Sequence, residues 1–150
     1  MARRRRIALA LTAAALIAAG LVVARTTDSA GWTFVGDALY AAMLYAVVGA
    51  VFPRRAPVVV GAIAFGVSAA VEFFQLTGIP AHLATVVPGA ALVLGTTFQG
   101  SDLVAYALGA GLAIAADLVI RRAAGSSRDA QTTPSVDAPR RRPPAGTPSR

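Results

Sequence analysis

The chain has 150 residues, 56% of them hydrophobic and 14% charged, with a net charge of +7 and a mean hydropathy of +0.64. A soluble domain carries about 25% charged residues, so this balance excludes an ordinary water-soluble fold and leaves a multi-pass membrane protein of the all-α class. Cysteine is absent and histidine occurs once, which excludes disulfides, thiolate chemistry and Cys-based or multi-His metal sites, and no cofactor is expected.

All fourteen basic residues are Arg. They gather at Arg3 to Arg6, Arg54–Arg55, Arg121–Arg122 and Arg140 to Arg142, at the borders of apolar runs. That placement is a topology signal and not a groove-binding stripe, so no nucleic-acid partner is expected.

The first span is Ile7 to Ala24, after the basic residues 1–6. A cleaved secretory signal is the rival reading, with Val22-Val23-Ala24 as the cleavage site, but the apolar stretch exceeds the usual length of about 7–15 residues. Arg25 to Gly31 reads as a polar loop, and Trp32 and Phe34 as an interfacial aromatic belt. The second span, about residues 36–52, stops at Pro53-Arg54-Arg55. The third, about 57–76, opens with Pro57 in its first turn. Its Gly61, Phe65, Ser68, Glu72 and Gln75 follow three- and four-residue steps and share one small, polar, bundle-facing side. Thr77-Gly78-Ile79-Pro80 breaks the helix. Residues 83–98 are apolar but interrupted by Pro88, Gly89 and Gly95, and read as a re-entrant or interfacial segment, with a fifth crossing as the alternative. The fourth span, about 102–120, has Ser101 as N-cap and an Asp117–Arg121 pair at its end. Residues 123–150, with five prolines, read as a disordered tail, whose Arg140 to Arg142 could attract anionic lipid.

Four spans place every Arg cluster on one side and only Arg25 on the other, so the positive-inside rule puts both termini in the cytoplasm of a cell-membrane protein. Asp37, Glu72 and Asp102, from three different spans, then reach a similar depth near the outer leaflet. Each has a polar residue at helical spacing: Tyr40 after Asp37, Gln75 after Glu72, and Tyr106 then Gly109 after Asp102. Ala105 and Gly109 permit close helix approach. An acid inside a span costs about 2.5–3.5 kcal/mol on insertion scales, which makes Glu72 a functional candidate. Asp37 and Asp102 sit at helix N-termini, where the helix dipole alone can account for an acid. The plain alternative for Glu72 is a neutral, hydrogen-bonded side chain that fixes packing with Gln75. Three ionised carboxylates in a low-dielectric pocket repel, so one holds its proton or a cation sits among them. Arg25 and His82 are the nearest basic residues in the sequence. The candidate ligand-binding residues are therefore Asp37, Tyr40, Glu72, Gln75, Asp102 and Tyr106.

These residues also carry a resemblance. Gly36-Asp37-Ala38-Leu39-Tyr40, Phe52-Pro53-Arg54, Glu72-Phe73-Phe74-Gln75-Leu76, Leu94-Gly95-Thr96-Thr97-Phe98 and Ser101 through Gly109 resemble, in order and over roughly residues 30–120, the small bacterial membrane proteins of domain of unknown function 2809. The pattern is also similar to VanZ-like proteins, whose namesake is associated with teicoplanin resistance. The resemblance implies a four-span envelope protein, brings no established activity, and marks Asp37, Glu72, Gln75 and Asp102. One departure stands out: family members carry an Arg between the Gln and the Leu-Gly-x-x-Phe piece, whereas this chain reads Ala84-Thr85-Val86-Val87-Pro88. The counter-charge is then left to a cation, His82 or a ligand headgroup.

Three functions compete. The leading expectation is a non-enzymatic envelope protein, in contact with membrane lipids and able to form homo-oligomers, whose acidic pocket binds a lipid headgroup, cell-wall precursor or small amphiphilic ligand. The alternative is a proton- or cation-coupled small transporter, although no internal repeat is visible. An intramembrane hydrolase is disfavoured, because Ser68 has no histidine partner in register.

Overall fold

A computed structural model describes residues 2–26 and 30–132. The described residues form six helices and no strand: α1 (Ala2–Thr26), α2 (Ala30–Val51), α3 (Pro57–Gln75), α4 (Ile79–Val86), α5 (Ala90–Leu94) and α6 (Gly100–Thr132). Four of them, α1, α2, α3 and α6, are long and apolar enough to cross a membrane. At 1.5 Å per residue, the eight residues of α4 and five of α5 cannot.

The surface is that of a protein inverted for lipid. Leu11, Val58 and Leu112 are 67%, 62% and 70% exposed, whereas the largest fully buried side chain is the carboxylate-bearing Glu72. Small residues form the contacts between helices. A Cβ on Gly109 would run into the backbone of Ala38, so α2 and α6 touch at main-chain distance. Ala105, buried one turn earlier, belongs to the same seam, as the spacing of small residues predicts. The apolar core joins Tyr45 of α2 to Val60 and Ala64 of α3, with Ala113 and Ile114 of α6 packed against it. Helix α1 lies antiparallel along α2: Leu9 is beside Gly49 at one end and Val23 beside Gly36 at the other.

Several boundaries differ from those expected. Helix α1 includes the Arg3–Arg6 cluster, because Arg stems extend a helix into the headgroup region without burying charge. Helix α2 begins at Ala30, so Trp32 and Phe34 are helical; of the expected polar loop, residues 27–29 lie outside the described residues. Helix α6 begins at Gly100, which places Ser101 inside the first turn and not at the cap. There its Oγ donates to Asp102 Oδ1 at 3.2 Å. At the other end α6 continues to Thr132, ten residues into the segment expected to be a disordered tail. No proline occurs between Ile120 and Pro134, so no missing N–H stops the helix at the last apolar residue. Arg140 to Arg142 and the rest of the tail lie outside the described residues.

The third span behaves as its periodicity predicts. Pro57 is at the start of α3, and Gly61, Ser68, Glu72 and Gln75 are all buried on one face, with Phe65 partly buried beside them. Ser68 turns inward and satisfies its own hydroxyl by donating to Ala64 O at 3.1 Å.

Candidate functional site

At one end of the bundle a cavity of about 260 Å³ is walled by α2, α3, the α5 segment and α6. Its polar lining includes Asp37 and Tyr40 of α2, Gln75 of α3, and Asp102 and Tyr106 of α6, with Thr33, Thr96, Thr97 and Gln99 beside them. Five of the six expected site residues therefore meet around one space. The cause is the helix period. Asp37 and Tyr40, three residues apart, face the same side of α2, as do Asp102 and Tyr106, four apart, on α6. The α2–α6 contact at Gly109 then brings the two faces together. Tyr40 and Tyr106 meet across it, their ring centroids 6.2 Å apart at 53°.

Glu72 is the sixth, and it stands behind the wall. It is fully buried. Its Oε1 accepts from the Gln99 backbone N–H at 2.5 Å, and its Oε2 accepts from the Tyr106 hydroxyl at 3.2 Å. Both Gln99 and Tyr106 line the cavity, so Glu72 fixes two pieces of the lining without itself being part of it. It remains within coulombic reach of Asp37, as does Asp102.

Two of the pairings suggested by spacing along a helix, Glu72 with Gln75 and Asp102 with Tyr106, are replaced by others. Gln75 does not bond to Glu72: its Nε2 donates to Leu94 O at 2.8 Å. Tyr106 bonds to Glu72 and not to Asp102, which takes the Ser101 hydroxyl. Same-face neighbours on a helix are close at Cβ, but buried polar ends go to whichever partner the next element brings nearest. Gly95 makes the Gln75 contact possible. Its φ of 63° is left-handed, and a Cβ there would run into Gln75 Nε2, so only glycine fits.

Two acceptors are left over. Gln75 is 8% exposed, and its Oε1 is buried with no hydrogen-bond partner. Asp37 Oδ2 is likewise buried and unpartnered. Among the described residues, no Arg or His lines the cavity. His82, on α4, is exposed, and neither it nor Arg25 contributes to the lining. The described residues also contain no group of three metal-ligating side chains close enough to hold one ion.

The opposite end of the bundle shows what a compensated acid looks like. Asp117 receives Arg5 Nη2 at 2.7 Å and Arg121 at 3.2 Å, and the Tyr45 hydroxyl at 2.7 Å. Arg5 also donates to Pro53 O, Arg6 to Ala50 O at 3.1 Å and Arg121 to Arg55 O at 3.2 Å. The Asp117–Arg121 pair is legible from its four-residue spacing. Arg5 and Tyr45 are not, because they arrive from helices distant in sequence. The only available signal was a tyrosine late in an apolar span, which is not specific.

A family model described as a protein of unknown function (DUF2809) matches residues 26–110. The chain belongs to the DUF2809 family. Within DUF2809, the matched segment contains all six candidate residues, but not Arg5, Asp117 or most of α1. No curated protein and no solved structure matches the chain.

Proposed function

We propose that this DUF2809 protein is a non-enzymatic, four-span membrane protein whose acidic cavity binds the cationic or polar group of an amphiphile. The observation that carries the reading is the cavity lining itself: Asp37, Gln75 and Asp102 line one space to which the described residues bring no basic side chain, and an oxygen of Asp37 and of Gln75 is buried there without a donor. Buried acceptors without donors are costly, at about 1–3 kcal/mol each. A ligand that brings N–H donors and positive charge removes that cost, and two carboxylates make a cation the better fit. Taken with the positive-inside rule, the cavity opens toward the outer leaflet and both termini are cytoplasmic, which would suit a VanZ-like envelope role.

The test is an unbiased recovery of lipids and metabolites on the protein in nanodiscs, wild type against the Asp37→Asn/Asp102→Asn double variant. Amine-bearing amphiphiles are expected on the wild type and should be depleted on the variant. Identical profiles would remove the proposal.

A further inference from the structure

The acidic cavity does not stand alone. A larger groove of about 700 Å³ runs beside it between α1, α2 and α5, within the range of about 300–1,000 Å³ typical of small-molecule sites. Its walls are mostly apolar, including Leu16 and Gly20 of α1, Leu39 and Met43 of α2, and Leu92 of α5. The two spaces share wall residues, among them Asp37, Tyr40 and Leu92. One carboxylate therefore stands at the junction of an apolar groove and an acidic chamber. Asp37 Oδ2 is buried without a hydrogen-bond partner, and so is Oε1 of Gln75, a chamber residue only 8% exposed.

We infer that the two spaces form one site for an ammonium-bearing amphiphile, which lays a single hydrocarbon chain in the α1–α2 groove and places its ammonium group in the chamber among Asp37, Asp102 and Gln75. This rests on the proposed cation-binding role of the chamber and adds the chain. Charge selects the head: two carboxylates and an amide carbonyl present acceptors only, and an ammonium presents donors only. Geometry disfavours a bare metal ion, since the described residues bring no three ligating side chains within reach of one ion. Shape selects the tail: the groove adjoins the chamber, is walled on one side by α1, and takes most of its lining from apolar residues. Gly20 is one of those lining residues, with open space where its Cβ would be.

The chain carries its own reporter. Trp32 is the only tryptophan, and it lines the groove. The full-length protein in nanodiscs is titrated with dibromo-octadecylamine, and with dibromo-octadecanol and dibromo-octadecanoic acid as same-chain controls. Bromine quenches Trp32 on contact. The amine is expected to give saturable quenching at low mole fraction, with the alcohol and the acid giving only the linear background of bulk lipid. Asp37→Asn should weaken the saturable phase about tenfold or more, and Gly20→Phe should abolish it by filling the groove. Unbrominated octadecylamine should compete and butylamine should not. Should butylamine compete as well as octadecylamine, with Gly20→Phe without effect, the head binds but the chain does not; this inference falls while the cation-binding role survives. Equal quenching by all three headgroups would overturn both. The competition and headgroup arms use the wild type, so they decide the matter even where a variant fails to fold.

Discussion

Single atoms decide how closely the helices pack. Gly109 faces the Ala38 backbone, whereas the exposed Gly66 of α3 has nothing within 4 Å of its Cβ position. The same substitution should therefore act with opposite sign at the two sites. Gly109→Ala is expected to push α2 and α6 apart and lower stability by about 1–3 kcal/mol. Gly66→Ala should be neutral or raise stability by up to about 1 kcal/mol through helix propensity. Unfolding midpoints of the two variants in one detergent would check this, and equal shifts would contradict the seam. Tyr106→Phe removes the donor to Glu72 Oε2 and leaves that oxygen buried. The expected loss is about 1 kcal/mol, measured the same way. The face carrying Ser68, Glu72 and Gln75 was legible in the sequence because all three share one helix period. Two of the partners were not: the Gln99 N–H taken by Glu72 and the Leu94 carbonyl taken by Gln75 are main-chain groups on another segment, and any residue type supplies those.

At the scale of elements, the two ends of the bundle differ in how their acids are satisfied. Asp117 ties α1, α2 and α6 together through Arg5, Tyr45 and Arg121. The Arg5 side chain is 21% exposed and that of Arg121 36%, so water screens the second pair more. A double-mutant cycle should show stronger coupling between Arg5 and Asp117 than between Arg121 and Asp117. Asp117→Asn is expected to cost about 1–3 kcal/mol, mostly from the Arg5 and Tyr45 bonds. A cycle with the order reversed would show that the α1 tie is incidental. The short α4–α5 segment, too short to span, was recognisable as an interruption from Gly78, Pro80, Pro88, Gly89 and Gly95. That it closes one wall of the acidic cavity was not, since this depends on where the chain folds back after α3.

For the whole molecule, four helices are long and apolar enough to cross a membrane, and the orientation proposed above from arginine placement puts both termini in the cytoplasm. A cysteine replacing Ala130 should then resist a membrane-impermeant thiol reagent added to intact cells, and one replacing the exposed Thr97 should react. The reverse pattern would invert the orientation, and labelling of both would remove the four-span arrangement. Orientation matters for the proposed function, because it decides which leaflet would supply the amphiphile. The family match covers Asp37, Glu72 and Asp102 but little of α1, so the groove wall formed by Leu16 to Ala24 belongs to a part of the chain the family model does not describe.

Composition, the length of apolar runs and the placement of Arg were enough to determine an all-helical chain with four spans, its breaks at Pro53 and Gly78, and the shared face of Glu72 and Gln75. Those properties are set by local rules: hydrocarbon thickness fixes run length, and the helix period fixes which residues share a side. Tertiary structure decided the rest. It placed Glu72 behind the cavity wall, joined Arg5 and Tyr45 to Asp117, and set α1 beside α2 so that a groove meets the acidic chamber at Asp37. Each of these needs two segments distant in sequence to approach within a few ångströms, and no local pattern encodes that distance.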